Sequence, residues 1–252
     1  MRSIILCEGS TDYVLIQYFL RKAHNWEDFK ENTGLRKRLG MARILKHSQC
    51  GDEVTIAGCR GSSNLVPGFD FILESNSLAG MESEIYQNIV IVTDRDEVGT
   101  EKEFINEIQG VLASRKVSVE SMIANDAWIL CRHRNAHGRE IQFRILLLII
   151  PFEETGALET FLLKSIANND TYDEKLINQC NAFVDTVDAE KRYLNRRRYI
   201  TKAKFDVYFS IRTPAGQFVE RQNVLKDVEW EKYTDIQECF KKLEGLRGNQ
   251  TF

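Results

Sequence analysis

Two segments of this chain follow the same pattern: a short apolar run, an acidic turn, then a helix-like stretch. The first is SIILC (3–7), continued by EGSTD and YVLIQYFLRKA. The second is NIVIVTD (88–94), continued by RDEVG and TEKEFINEIQGVLAS. Short apolar runs bounded by turn residues read as strands buried on both faces, and strands that alternate with helices build a parallel α/β sheet. Parallel strands need crossover helices, so helical layers are expected over the sheet. Ser10 or Thr11 is placed to cap the first helix, with Val14, Tyr18 and Arg21 following at helical spacing. In the second, Thr100 with Glu103 has capping-box spacing, and Phe104, Ile108, Val111 and Leu112 fall on one face.

Between these units, EVTIAGC (53–59) reads as another strand, RGSSNLVPG as a loop and FDFILESNSL as helical. The basic segment 35–47 reads as a helix or an insertion. AWILCRHRNAHGREIQFRILLLIIP contains two strand-like runs (127–134 and 139–150) around the turn signal NAHG. Beyond Pro151 the chain reads as mainly helical: GALETFLLKSIAN, 173–195 and 229–245. There is no repeat, no low-complexity tract and no Gly/Ser linker, so one compact body is expected.

Apolar residues make up 43 % and charged residues 28 % of the 252, which excludes wholesale disorder. The net charge of −3 means that any nucleic-acid surface must be a local basic patch. No two of the six cysteines form a C-x-x-C pair, so a zinc knuckle is not expected and a reducing compartment is. Cys7, inside an apolar strand, reads as a small core residue. MRSIILCEG lacks the apolar length of a secretory signal, and ILLLII (145–150) falls short of the roughly 20 residues needed to span a bilayer. A soluble cytoplasmic protein is the expectation.

The chemistry sits at the strand ends. Glu8 and Gly9 follow the first strand, with Asp12 four residues after Glu8; Asp94 and Asp96 close the later one. The C-terminal ends of parallel strands share one side of the sheet, where open α/β sheets carry their sites, so Glu8, Asp94 and Asp96 converge if the two strands are neighbours. Carboxylates without histidine or cysteine favour a hard cation, Mg²⁺ or Mn²⁺. Gly9 suits a tight turn or a close approach of backbone to ligand. Arg95 is expected to point away from its neighbours. Acids at strand ends also serve as helix caps and dipole partners, the plainer reading, which weighs most for Asp12.

IILCEGSTD followed by IVIVTDRDE resembles a TOPRIM domain, the metal-binding module shared by topoisomerases, primases and the overcoming-lysogenization-defect (OLD) nucleases. Glu8 matches the family's glutamate-glycine after the first strand, and Asp94 and Asp96 match its Asp-x-Asp after a later one. Asp12 is similar to the first motif of OLD-like and stand-alone TOPRIM proteins. The resemblance covers about residues 3–115. It implies a TOPRIM (Rossmann-like) α/β core over 1–150, with a largely parallel sheet flanked by helices, an insertion around 25–80, and a mainly helical extension over 151–252. Asp94-x-Asp96 also fits the haloacid-dehalogenase phosphatases, with Asp94 as nucleophile, and metal-dependent glycosyltransferases. Neither explains CEGSTD, and no strand precedes the later acids of NNDTYDE.

In the C-terminal half, Glu159 reads either as a helix-start glutamate favoured by the dipole or, through a G-x-L-E helix similar to that of stand-alone TOPRIM proteins, as a further metal ligand. The stretch 191–204, KRYLNRRRYITKAK, carries seven basic residues and no acid. It reads as a solvated helix face or as a phosphate-contacting surface through Arg192, Arg196, Arg197, Arg198, Lys202 and Lys204. The following FDVYFSI looks like a strand or buried segment, and the resemblance to OLD-like proteins implies that Lys202 or Lys204 completes the site. His133 and His137 read as surface residues. Tyr13, Tyr18, Tyr193 and Tyr199 raise a topoisomerase, but the chain is too short for one. The expected activity is metal-dependent phosphodiester hydrolysis of DNA or RNA by Glu8, Asp94 and Asp96, with Asp12 and Glu159 as extra ligands. The alternative is a catalytically silent module that binds metal and nucleic acid. With no G-x-x-x-x-G-K-[ST] motif, ATP hydrolysis would need a separate ATPase partner. A role in defence against mobile elements follows by analogy, and a homo-oligomer is compatible with it.

Overall fold

The structure is a computed structural model and describes residues 1–214 and 225–247. Eight strands form a single sheet: β1 (Arg2–Cys7), β2 (Trp26–Glu31), β3 (Met41–His47), β4 (Glu53–Gly58), β5 (Asn88–Asp94), β6 (Ser118–Val119), β7 (Trp128–Arg134) and β8 (Glu140–Ile150). Their order is β2-β3-β4-β1-β5-β8-β7-β6. The central four, β4, β1, β5 and β8, run parallel, and antiparallel strands extend the sheet on both sides. This is a Rossmann-like α/β architecture with a parallel central sheet flanked by helices and followed by a helical C-terminal region.

The central strands carry near-continuous apolar runs because those runs are buried on both faces. Ile5, Cys7, Val90, Val92, Leu146, Leu148 and Ile150 join the core on one side of the sheet. Their chain neighbours Ile4, Leu6, Ile89, Ile91, Ile145, Leu147 and Ile149 join the core on the other. Each switch of one residue is a switch of face. The first side is covered by α1 (Ser10–Ala23), α5 (Leu158–Asn169), α6 (Thr171–Val187), α7 (Arg197–Arg212) and the C-terminal α8 (Thr234–Phe240). The second is covered by α2 (Thr33–Leu39), α3 (Leu65–Leu78) and α4 (Thr100–Ser114). Residues 25–80 supply β2, α2, β3, β4 and α3 to this body. Among the described residues no helix is long and apolar enough to cross a membrane, and the six cysteines are free thiols, five of them buried.

Several local expectations change. The segment 35–47 is neither a helix nor an insertion throughout: it divides into α2 and β3 at Gly40. FDVYFSI is the second half of helix α7. Phe205, Val207, Phe209 and Ile211 alternate like a strand, but the buried residues are Phe205, Tyr208 and Phe209, at helical spacing, while Ile211 is 53 % exposed. The helix expected over 173–195 stops at Val187, and 229–245 divides into α8 and 3-10 turns on either side. Neither Ser10 nor Thr11 caps α1. Gly9 is its N-cap, and Asp12 Oδ2 accepts the Gly9 N–H at 3.0 Å. The face that α1 buries is Leu15, Ile16, Phe19 and Leu20. No capping box forms at Thr100, whose hydroxyl accepts the Glu97 N–H while Gly99 holds the N-cap.

Candidate metal centre

Register decides which strand ends meet. Cys7 lies beside Val92 in the parallel β1–β5 ladder, so Glu8, the next residue on, reaches the end of β5. Its Oε1 accepts from the Thr93 hydroxyl and from the Asp94 N–H at 3.0 Å. Asp94 lies beside Ile150 at the end of β8, after which the chain turns into α5. The Arg95 N–H donates to the Ile150 carbonyl and the Gly156 N–H to the Arg95 carbonyl, which ties this turn to β5. The Leu158 N–H then donates to Asp94 Oδ1 at 2.8 Å, so Asp94 holds the start of α5. Glu159, the next residue, is buried at 6 % exposure.

Glu8, Asp12, Asp94 and Glu159 thus share one pocket of about 690 Å³ at the C-terminal ends of the parallel strands, with Asp96 on the same wall. Burial pushes the Asp12 carboxyl up to about 7, and Glu8 adds to the push. Asp94 is also raised, by burial first and then by the charges of Asp12, Glu8 and Glu159. Glu8 is raised by burial, against the pull of its two hydrogen bonds. Carboxylates that resist ionisation because they are buried near like charges are stabilised by a cation. The all-oxygen donor set is that of a hard divalent ion. By that chemistry the residues fit Mg²⁺ or Mn²⁺. Among the described residues, however, no three His, Cys, Asp or Glu side chains are arranged to hold one ion as they stand.

The basic face comes from the start of α7. Arg197, Arg198 and Lys202 line the same pocket. The Arg198 charge favours ionised Glu8, and the Arg197 guanidinium donates to the Asp96 carbonyl. Lys202 lies one turn after Arg198 and shares its face. Lys204 does not join it. Its ammonium pairs with Asp185 on α6 at 2.8 Å, and it lines a neighbouring cleft. Arg196, over the Tyr199 ring, also lines that cleft, and Arg192 lies over Tyr193 at the surface. Of the basic residues singled out, α7 therefore turns Arg197, Arg198 and Lys202 towards the carboxylates, and Lys204, Arg196 and Arg192 stand apart.

Arg95 turns to Glu101, away from the carboxylates. Gly9 is extended, at φ −137°, and a Cβ there would meet only Asp12 Oδ2 at 3.7 Å, so no tight turn requires a glycine. The glycine that geometry does require is Gly61, at φ +121°. Its N–H donates to the Glu8 carbonyl at 2.8 Å and so brings Arg60, Ser62 and Ser63 to the pocket wall. The sequence places those three only in a loop. The available signal was their place directly after the strand EVTIAGC, which puts them on the same sheet edge as Glu8.

The chain belongs to the family described as Protein of unknown function (DUF3226), which matches residues 2–243. No curated protein matches it. Among solved structures it is similar to a hypothetical protein from Pyrococcus horikoshii OT3, at 15 % identity and a TM-score of 0.50, with 97 % of this chain and 98 % of that one covered. That likeness concerns the fold alone. A glyoxalase/bleomycin resistance protein/dioxygenase family enzyme from Burkholderia phytofirmans PsJN aligns at 11 % identity over 58 % of this chain and 97 % of its own, with a TM-score of 0.19.

Proposed function

We propose that this member of the DUF3226 family is a metal-dependent phosphodiesterase of TOPRIM type that cleaves nucleic acid. The observation that carries the reading is the meeting, in one strand-end pocket, of four buried or half-buried carboxylates with the Arg197, Arg198 and Lys202 face of α7. Glu8, Asp94 and Asp96 would hold Mg²⁺ or Mn²⁺, with Asp12 and Glu159 as further ligands. When bound, the metal supplies an activated water and charge neutralisation at the leaving oxygen. The chain's own residues do the rest. Thr93 and the Asp94 N–H orient Glu8, and the Leu158 N–H orients Asp94. Arg198 and Lys202 hold the phosphate and offset the charge that develops on it. The exposed Arg192 and Arg196 extend the attraction along the nucleic-acid backbone. A cytoplasmic setting and a separate ATPase partner complete this reading.

The test is cleavage of single-stranded DNA, plasmid and RNA in Mn²⁺. Glu8→Gln and Asp94→Asn are expected to slow cleavage by about 10²–10³-fold or more, the scale on which one charge-stabilising group shows in kcat. Binding of Mn²⁺ and nucleic acid with no cleavage under any of these conditions would leave a silent binding module. Hydrolysis of p-nitrophenyl phosphate that needs Asp94 but not Glu8 would instead make the protein a phosphatase.

A further inference from the structure

A second cleft, of about 710 Å³, adjoins the carboxylate pocket, and Arg197 and Thr201 line both. It lies between α5, α6, α7 and the segment that joins α6 to α7. Its neighbour mixes carboxylates with cations, whereas this cleft carries charge of one sign. Five cations line it, Lys164, Lys191, Arg196, Arg197 and Lys204, and no carboxylate does. Lys164 and Lys204 are neutralised by Glu154 and Asp185. Lys191, Arg196 and Arg197 have no ion-pair partner among the described residues. The floor is apolar, made of Leu163, Ile177, Leu194 and Ile200, and amides from Asn178, Asn181 and Asn195 stand around it.

We propose that this cleft is a nucleotide subsite. An apolar floor takes the face of a base, amides read its edge, and unpaired cations on the rim take its phosphate. The exposed amides of Asn178 and Asn195 offer a donor and an acceptor each to the edge of a base. The volume is on the scale of small-ligand pockets, roughly 300–1,000 Å³. Because Arg197 faces both cavities, a phosphate held there sits between the base in the cleft and the carboxylates. The ligand is a nucleoside phosphate, either free or as the nucleotide next to the cleavage position in a strand. The second source rests on the nuclease reading; the first does not.

Binding is measured in EDTA on the full chain, with adenosine monophosphate and with a short fluorescein-labelled single-stranded oligonucleotide. Lys191→Glu, Arg196→Glu and Asn178→Leu bear on this cleft and leave the carboxylate pocket intact. Each charge reversal should weaken both ligands about tenfold and lower the salt slope of strand binding by about one per lost phosphate contact. Asn178→Leu should weaken binding without lowering the melting temperature, because the Asn178 side chain is exposed. If that residue is only structural, binding will not move. Wild-type binding by all three variants overturns the proposal even if the protein cleaves nucleic acid. Weakened monophosphate binding in a protein that cleaves nothing upholds the subsite while the nuclease reading falls. Tight strand binding with no affinity for the free monophosphate identifies the strand as the source.

Discussion

The carboxylates of this protein behave in opposite ways in two places. On the outer faces, Asp70 meets Arg115, the C-cap of α4, in a two-point fork at 2.6 and 2.7 Å, and Asp28 meets Arg43 across the β2–β3 pair. Each is held below the usual carboxylate range, first by its hydrogen bonds to the arginine. At the strand-end pocket Asp12, Glu8 and Asp94 are pushed the other way, first by burial. The residue type is the same, so the difference lies in what surrounds it. Outside, the chain supplies its own countercharge. In the pocket it brings acids together at a cost to folding, and local departures of that kind concentrate where something is bound.

The largest effect that could break this contrast is a dependence of stability on pH. An acid whose pKa is raised by folding keeps its proton in the folded state after the unfolded chain has lost it, so stability falls as pH rises between the two values. For Asp12 that window runs from its ordinary 3.8 to about 7. At about 1.4 kcal/mol per unit, Asp12 alone sets a scale of about 4 kcal/mol. Asp28 and Asp70 have the opposite sign: their contribution is present above the ordinary carboxylate range and is lost only below it. His24, lowered chiefly by burial, also opposes, since stability tied to it rises with pH up to about 6.5. The clean measurement is therefore the difference in unfolding free energy between wild type and Asp12→Asn, which share His24. Without added metal, the variant is expected to match wild type near pH 4 and to exceed it increasingly up to pH 7. A difference that is flat with pH would mean that the pocket carries no unmet charge.

How much of this was visible beforehand depends on whether a residue's role is fixed locally or by topology. Glu8 and Asp94 are readable because each directly follows an apolar run, and the end of a parallel strand is a defined place. Glu159 is half readable: its helix start is local, but its meeting with Asp94 depends on β8 pairing with β5. Arg60 and Ser62 were missed because nothing local says that β4 lies beside β1. Sequence alone leaves Lys202 and Lys204 undecided because the apolar residues of FDVYFSI alternate with a period of two. Once α7 is a helix, Lys202 falls with Arg198 and Lys204 falls with Ile200. The edge strand WEDFKE had no pattern to read, since all but Trp26 are exposed.

A smaller effect sharpens the comparison. If the unmet charge exists for a cation, saturating Mg²⁺ or Mn²⁺ should stabilise the protein at pH 7.5, by about 2.7 kcal/mol at one hundred times the dissociation constant. In a chain of this length that is roughly 5–10 °C in melting temperature. The gain should shrink at pH 5, where protons compete for the same oxygens, and in Glu8→Gln at either pH. An equal gain in wild type and Glu8→Gln would place the cation elsewhere.

The smallest effect belongs to the outer faces. Asp70→Asn removes one arm of an ion pair whose carboxylate is 38 % exposed, so solvent already screens most of the attraction. The expected loss is under about 1 kcal/mol, smaller still in high salt, and indifferent to Mg²⁺. Its direction matters more than its size. Replacing a paired acid should weaken the fold slightly, whereas replacing Asp12 in the pocket by its neutral isostere should strengthen it. Two Asp→Asn changes with opposite signs in one protein, measured by denaturant unfolding at pH 7.5 without metal, would separate charges kept for stability from charges kept for a ligand. If both changes destabilise, the pocket carboxylates are ordinary structural acids, and Asp12 is there for the Gly9 N–H that it accepts at the start of α1.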